Sequence, residues 1–223
     1  VPPGEPFLRP DWIVRNLDVI WGRLLQHVGM TLTAVVIGFA ISFAAALLIR
    51  RRRRATAAVI GITGVLYAIP SLALFAFLIP FTGISFVTAE IALTSYTLLI
   101  LIRNILLGLE SVPSDVVEAA IGMGYTRRQL LWRVELPIAV PIIVAGVRIA
   151  TVTTVGLVTV TALIGQGGLG YLIVVSGIKG FFPTAIWVGA LLSVALAFVA
   201  DLGLLLVQAR LTPWARARGG GTS

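Results

Sequence analysis

EAAIGMGYTRRQLLWRVELP, residues 118–137, is the stretch where an otherwise apolar chain turns polar yet keeps the residue types of ordered structure. Just upstream, Pro113 fits a helix start, and Ser111 or Ser114 is a plausible N-cap. Val117, Ala120, Ile121 and Gly124 fall on one helical face, and Arg127 and Arg128 occupy the next turn. Gly122 and Gly124 weaken a helix and predict a bend or a close backbone contact. Leu130, Leu131 and Val134 predict a second short helix stopped at Pro137. A segment this short and broken cannot build its own core. It reads as an amphipathic cytoplasmic helix held between two membrane spans.

The surrounding composition requires that reading. The chain has 223 residues, of which 58% are hydrophobic and 12% charged, and its mean hydropathy is +1.04. Several apolar runs exceed the roughly 20 residues needed to cross about 30 Å of hydrocarbon. The runs are continuous rather than alternating, so the spans are helices and not the strands of a barrel. The fold class is therefore all-α and polytopic. A net charge of +8 would suggest nucleic acid in a soluble protein, but here the arginines flank apolar runs. They set topology and meet lipid headgroups, and no nucleic-acid partner is expected. With no Cys and His27 as the single histidine, no metal site and no Ser-His triad is expected.

Five spans are expected, at about 28–49, 57–79, 90–109, 138–163 and 184–208, forming a domain over residues 28–209. Residues 1–27 read as an extracytoplasmic segment with a short interfacial helix, its Trp12 and Trp21 at headgroup level. Five consecutive arginines, residues 50–54, end the first span and place that end in the cytoplasm. Pro70, Pro80 and Gly83 mark a second span that kinks and then turns. The polar loop then covers 110–137. The Thr-rich middle of the fourth span suits tight helix packing. Four glycines in residues 164–170 must leave regular helix, and the lysine of a phosphate-binding loop is missing there. A half-helix or loop carries Lys179, and residues 210–223 form a cytoplasmic tail expected to be disordered. The N-terminus is then outside and the C-terminus inside.

Arg148 and Asp201 are the intramembrane charges in this reading. Counted from Pro137 and Arg210, both lie roughly 14 to 17 Å from the inner ends of neighbouring spans. They are expected to form a structural ion pair, since either charge buried alone is costly. Substrate-contacting residues are unknown at this level. Tyr67, Phe75, Phe77, Tyr96, Tyr171 and Trp187 are able to offer cation–π contacts but more often serve packing.

The spacing Glu118-Ala119-Ala120, three residues, Gly124, nine residues, Val134-Glu135-Leu136-Pro137 resembles the EAA loop of the permease subunits of bacterial ABC importers. The one departure is Val134, where that family usually has Ile. YAIPSLALFAFLIPFTGI (67–84), LIRNILLGL (101–109) and ALIGQGGLG (162–170) are similar to the osmoprotectant subgroup, which moves glycine betaine, choline, carnitine and proline.

The resemblance implies the type I importer permease fold. It also implies a coupling helix at Glu118, Ala119, Ala120, Gly124, Tyr125, Arg127, Arg128, Leu136 and Pro137, docked on an ATP-binding subunit. Implied partners are two ATPase subunits, a second permease subunit and a separate extracytoplasmic binding protein. ATP and Mg then bind the ATPase, and this chain carries no cofactor and no catalytic residue. Other small solutes, such as methionine, other amino acids or an ergothioneine-like betaine, remain alternatives, as does a stand-alone channel or secondary transporter. An intramembrane enzyme lacks a catalytic pair and a GxSxG element.

Overall fold

A computed structural model describes residues 8–212. Pro2, Pro3, Pro6 and the tail beyond residue 212, with Arg216 and Arg218, lie outside the described residues. The helices in chain order are α1 (Pro10–Arg15), α2 (Leu17–Ile49), α3 (Arg53–Ala68), α4 (Ser71–Thr82), α5 (Phe86–Glu110), α6 (Ser114–Gly122), α7 (Arg127–Leu130), α8 (Leu136–Val160) and α9 (Pro183–Leu211). A π-helical turn, Leu131–Glu135, joins α7 to α8, and a second π-helical segment, Leu172–Lys179, precedes α9.

α5 is the central post, packing against α2, α3, α4 and α8. Apolar burial alone does not hold helices together in lipid, so close approach must come from small residues. They stand where needed. A Cβ on Gly38 of α2 would overlap the Thr97 side chain, and one on Gly146 of α8 would overlap Asn104. Gly108 lies against Ala139 and Ile143. Within α8, the buried Thr151 and Thr154 donate to the carbonyls of Val147 and Ala150 of their own helix, at 2.8 and 2.7 Å.

Three expectations need correction. The second span is not one helix. α3 and α4 meet at 96°, because Pro70 drives Ile69 into extended backbone, φ −65° and ψ 128°. The Ile69 carbonyl freed there accepts from the Tyr96 hydroxyl at 2.6 Å. Four helices are long and apolar enough to cross a membrane, and the bent pair makes up to five. Next, residues 17–27 are the opening turns of the 33-residue α2 rather than a separate surface helix, the only interruption being Asn16. Finally, the chain does not stop at Pro137. Helix runs from Arg127 to Ile164, and the wider π turn before Pro137 relieves the clash its ring would make with an α-helical preceding turn.

Candidate functional site

The molecule has two polar ends. At one, α2 finishes in the arginine run, and the polar segment between α5 and α8 folds against it. α6 ends in a Schellman motif: Tyr125 N–H donates to the Ala120 carbonyl at 3.1 Å and Gly124 N–H to Ile121 at 2.9 Å. Gly124 takes φ +81° in open space, so glycine is required there for its left-handed backbone and not for close packing. Neither Ser111 nor Ser114 caps α6. Pro113 stands at the N-cap, and Ser111 closes α5 by donating to Gly108. α7 begins with a capping box, in which Thr126 accepts from Gln129 N–H while the Gln129 side chain accepts from Thr126 N–H.

This geometry sorts the residues singled out from sequence. Glu118, Ala119, Gly124, Arg127 and Arg128 are exposed, Tyr125 and Pro137 are half-buried, and Ala120 and Leu136 are buried. Ala120 and Leu136 therefore hold the segment to the bundle instead of meeting a partner. Ile121, Met123 and Trp132 stand out from the same region, 58%, 70% and 56% exposed, which is the character of a docking surface. The sequence reading placed Ile121 on a helical face without a docking role and singled out neither Met123 nor Trp132.

Arg50, the first of the arginine run, pairs with Glu135 at 2.5 Å, and both side chains are largely buried, 16% and 12% exposed. Glu135 lies within the quoted motif but was assigned no role from sequence, and Arg50 was read only as a topology signal. Their contact fastens the end of α2 to the π turn that leads into α8.

Between α8 and α9, Arg148 and Asp201 form a two-pronged ion pair, Nε to Oδ1 and Nη2 to Oδ2 both at 2.9 Å. Gln208 accepts from Arg148 at 3.5 Å and donates to the Pro141 carbonyl at 3.2 Å, tying α9 to α8. The pair is not enclosed, its side chains being 25% and 38% exposed. It looks into a groove of about 460 Å³ with Ala145, Val152 and Thr153.

At the opposite end His27 is buried and joins three elements. Its Nδ1 accepts from Leu169 N–H at 3.3 Å, which leaves Nε2–H to donate to the Val155 carbonyl at 3.0 Å. The glycine loop leaves helix as expected, with positive φ at Gly165, Gly167 and Gly168, and a Cβ on Gly168 would strike the His27 backbone.

Of the aromatics named from sequence, Tyr67 and Tyr96 pack edge to face with ring centroids 5.9 Å apart. Phe75 is fully buried, Tyr96 bonds Ile69, Tyr171 stacks under Arg23 at 3.8 Å, and Phe77 tilts against Phe81. Glu90 was placed from sequence only at the start of the third span. It is buried within α5. Its position inside an apolar run was the available signal.

Residues 28–213 match the family model described as binding-protein-dependent transport system inner membrane component. The chain belongs to that family. Among its relatives, the carnitine transport permease protein OpuCB of Listeria monocytogenes is 38% identical, covering 88% of this chain and 90% of the relative. The choline transport system permease protein OpuBB of Bacillus subtilis (strain 168) is 35% identical, covering 90% and 94%. The osmoprotectant import permease protein OsmW of Salmonella typhimurium is 35% identical, covering 91% and 96%. A chain of the MetNI methionine ABC transporter in an inward-facing conformation superposes with a TM-score of 0.75 at 25% identity, covering 85% of this chain and 94% of that one. As an inner membrane component of such a system, the permease works with a substrate-binding protein and an ATPase.

Proposed function

We propose that the permease forms the membrane passage for a small osmoprotectant such as glycine betaine, choline, carnitine or proline. The observation that carries this reading is the exposed coupling surface between α5 and α8, in a chain whose relatives are named for carnitine, choline and osmoprotectant transport. One of two ATPase subunits docks at Glu118, Ala119, Gly124, Arg127 and Arg128, with Ile121 and Met123 supplying apolar contact, and the other docks on the second permease subunit. ATP and Mg stay on the ATPase. A second permease subunit completes the passage, because the partly exposed Arg148–Asp201 pair is unsuited to hydrocarbon and fits a water-filled path or a protein neighbour. The arginine end faces the cytoplasm, which puts the N-terminus outside and the glycine loop toward the binding protein.

Closure of the ATPase dimer pushes α6 and α7. α7, the π turn and α8 form one continuous helical rod, so the push moves α8 as a body, and the Arg50–Glu135 contact carries it to α2. Glu118→Lys reverses the charge on the docking face without touching the bundle. Uptake of radiolabelled choline, carnitine and glycine betaine by cells expressing the whole importer is expected to fall to background, with the subunit still in the membrane at normal level. Unchanged uptake in that variant would remove Glu118 from docking. Methionine is the competing substrate, on the likeness to the methionine transporter, and its uptake without uptake of any quaternary ammonium solute would replace the osmoprotectant reading.

A further inference from the structure

The continuous rod of α7, π turn and α8 carries one stripe that changes character along its length. Arg128, Gln129, Trp132 and Arg133 follow one another at one- and four-residue steps, and Leu136, Pro137 and Val140 continue the stripe toward the span. Its first part lines a polar pocket of about 380 Å³. Its second part lines an apolar groove of about 440 Å³, walled also by Phe39 and Phe43 of α2 and Leu211 of α9. Trp132 lines both, so pocket and groove form one continuous site. Phe39 and Phe43 stack on the far wall with ring centroids 5.7 Å apart. Arg128 and Arg133 are exposed, and among the described residues no carboxylate pairs with either. The docking proposed above uses Ile121 and Met123 and leaves Trp132, 56% exposed, without a role.

We propose that this site binds one anionic phospholipid of the cytoplasmic leaflet, with its phosphate at Arg128 and Arg133 and its acyl chains along Phe39, Phe43 and Val140. It rests on the proposed function only in placing this end of the chain in the cytoplasm. Each part of the site excludes a different occupant. A soluble anion suits the arginines but has no use for the apolar groove joined to them. The ATPase also suits the arginines, yet a soluble protein does not reach into a groove between spans. A second permease subunit suits the groove but would press against two unpaired guanidinium groups, which is costly. A phospholipid supplies phosphate and then carbon in the order the stripe requires, over about 18 Å from Arg128 to Val140. Trp132 stands where the stripe changes from polar to apolar, the level tryptophan takes at a membrane surface. Arginine grips phosphate through paired N–H donors, and basic pockets at the cytoplasmic ends of spans hold anionic head groups. A zwitterionic lipid brings its own cation toward the two arginines and binds less well.

The test uses the purified permease–ATPase complex, titrated with phosphatidylglycerol or phosphatidylcholine of matched acyl chains and read by native mass spectrometry. Wild type is expected to hold phosphatidylglycerol in preference to phosphatidylcholine. Arg133→Gln is expected to weaken phosphatidylglycerol by about fivefold, the loss of one arginine near a membrane surface, and phosphatidylcholine by less. Val140→Phe fills the groove and keeps both arginines, and it should weaken both lipids. Equal affinity for the two lipids in wild type, or phosphatidylglycerol affinity unchanged in Arg133→Gln, overturns the site. Glycerol phosphate that competes as well as the whole lipid makes this an anion site and overturns it too. Loss of the ATPase from Arg133→Gln, or of the second permease from Val140→Phe, with lipid binding intact, assigns the surface to that subunit instead. The cytoplasmic placement is read separately with Met123→Cys. Labelling of that permease subunit in intact cells by a membrane-impermeant thiol reagent rejects the placement, whereas failure of the lipid titrations leaves the placement standing.

Discussion

Glu135 faces inward from the segment proposed to meet the ATPase, and its partner Arg50 comes from a different helix. Removing one member of such a pair strands the other charge in a poorly solvated place. Arg50→Ala is expected to destabilise the permease by about 3 kcal/mol, seen as a lowered thermal midpoint in detergent. Arg50→Met with Glu135→Leu leaves no stranded charge and should recover most of that loss. If the pair also carries movement from α8 to α2, the double variant stays folded yet transports poorly. Normal uptake in the stable double variant would reduce the pair to a structural tie. Gly124 makes a second test at this scale. Its left-handed backbone is unfavourable for any residue with a Cβ, so Gly124→Ala should cost about 1 kcal/mol. The same thermal scan reads it.

Among the elements, α5 and α8 depend on glycine for their spacing, and the glycines of α8 are not equivalent. Gly146→Leu would place carbon where the Asn104 side chain lies, whereas nothing stands within 4 Å of a Cβ on Gly156. Gly146→Leu should abolish a monodisperse peak on size exclusion, and Gly156→Leu should leave it intact. Equal behaviour would mean that Gly146 does not set the spacing. This difference marks what the sequence could convey. Hydropathy and arginine placement reveal the long helices α2, α5, α8 and α9, and the fixed spacing from Glu118 to Pro137 reveals the polar segment between them. Both signals are local. The 96° turn at Pro70 was harder to read, because a proline announces a break but not its angle, which depends on Tyr96 reaching Ile69. Continuity through Pro137 was hidden for a related reason. A proline disfavours the α-helical turn before it, and at Pro137 a π turn takes that place. The partners of Arg50 and His27 depend on distant segments, which no local spacing encodes.

For the whole molecule, the decisive asymmetry is that α9 contributes almost nothing to the interior. Only Thr184, Ala185 and Gly189 of its 29 residues are buried. Lipid covers exposed Leu, Val and Phe without cost, so apolar exposure alone does not say what lies against α9. Asp201 does, because a partly exposed ion pair in mid-span favours water or protein over hydrocarbon. Leu205 stands one helical turn from Asp201 on the same face, and Val199 points to the far side. The chain has no cysteine, so single substitutions give clean labels. If the Asp201 face borders the aqueous passage, Leu205→Cys in the assembled importer reacts with a membrane-impermeant thiol reagent, and Val199→Cys does not. If α8 moves with residues 114–135 as proposed, reaction at Leu205 should also change when the ATPase is trapped with ATP, because Arg148 binds α8 to Asp201. If both cysteines resist the reagent in every state, the Asp201 face is sealed by protein, and the passage must run along α3 and α4. If both react alike, α9 stands in water on two sides, and the proposed pairing with a second permease across this face fails.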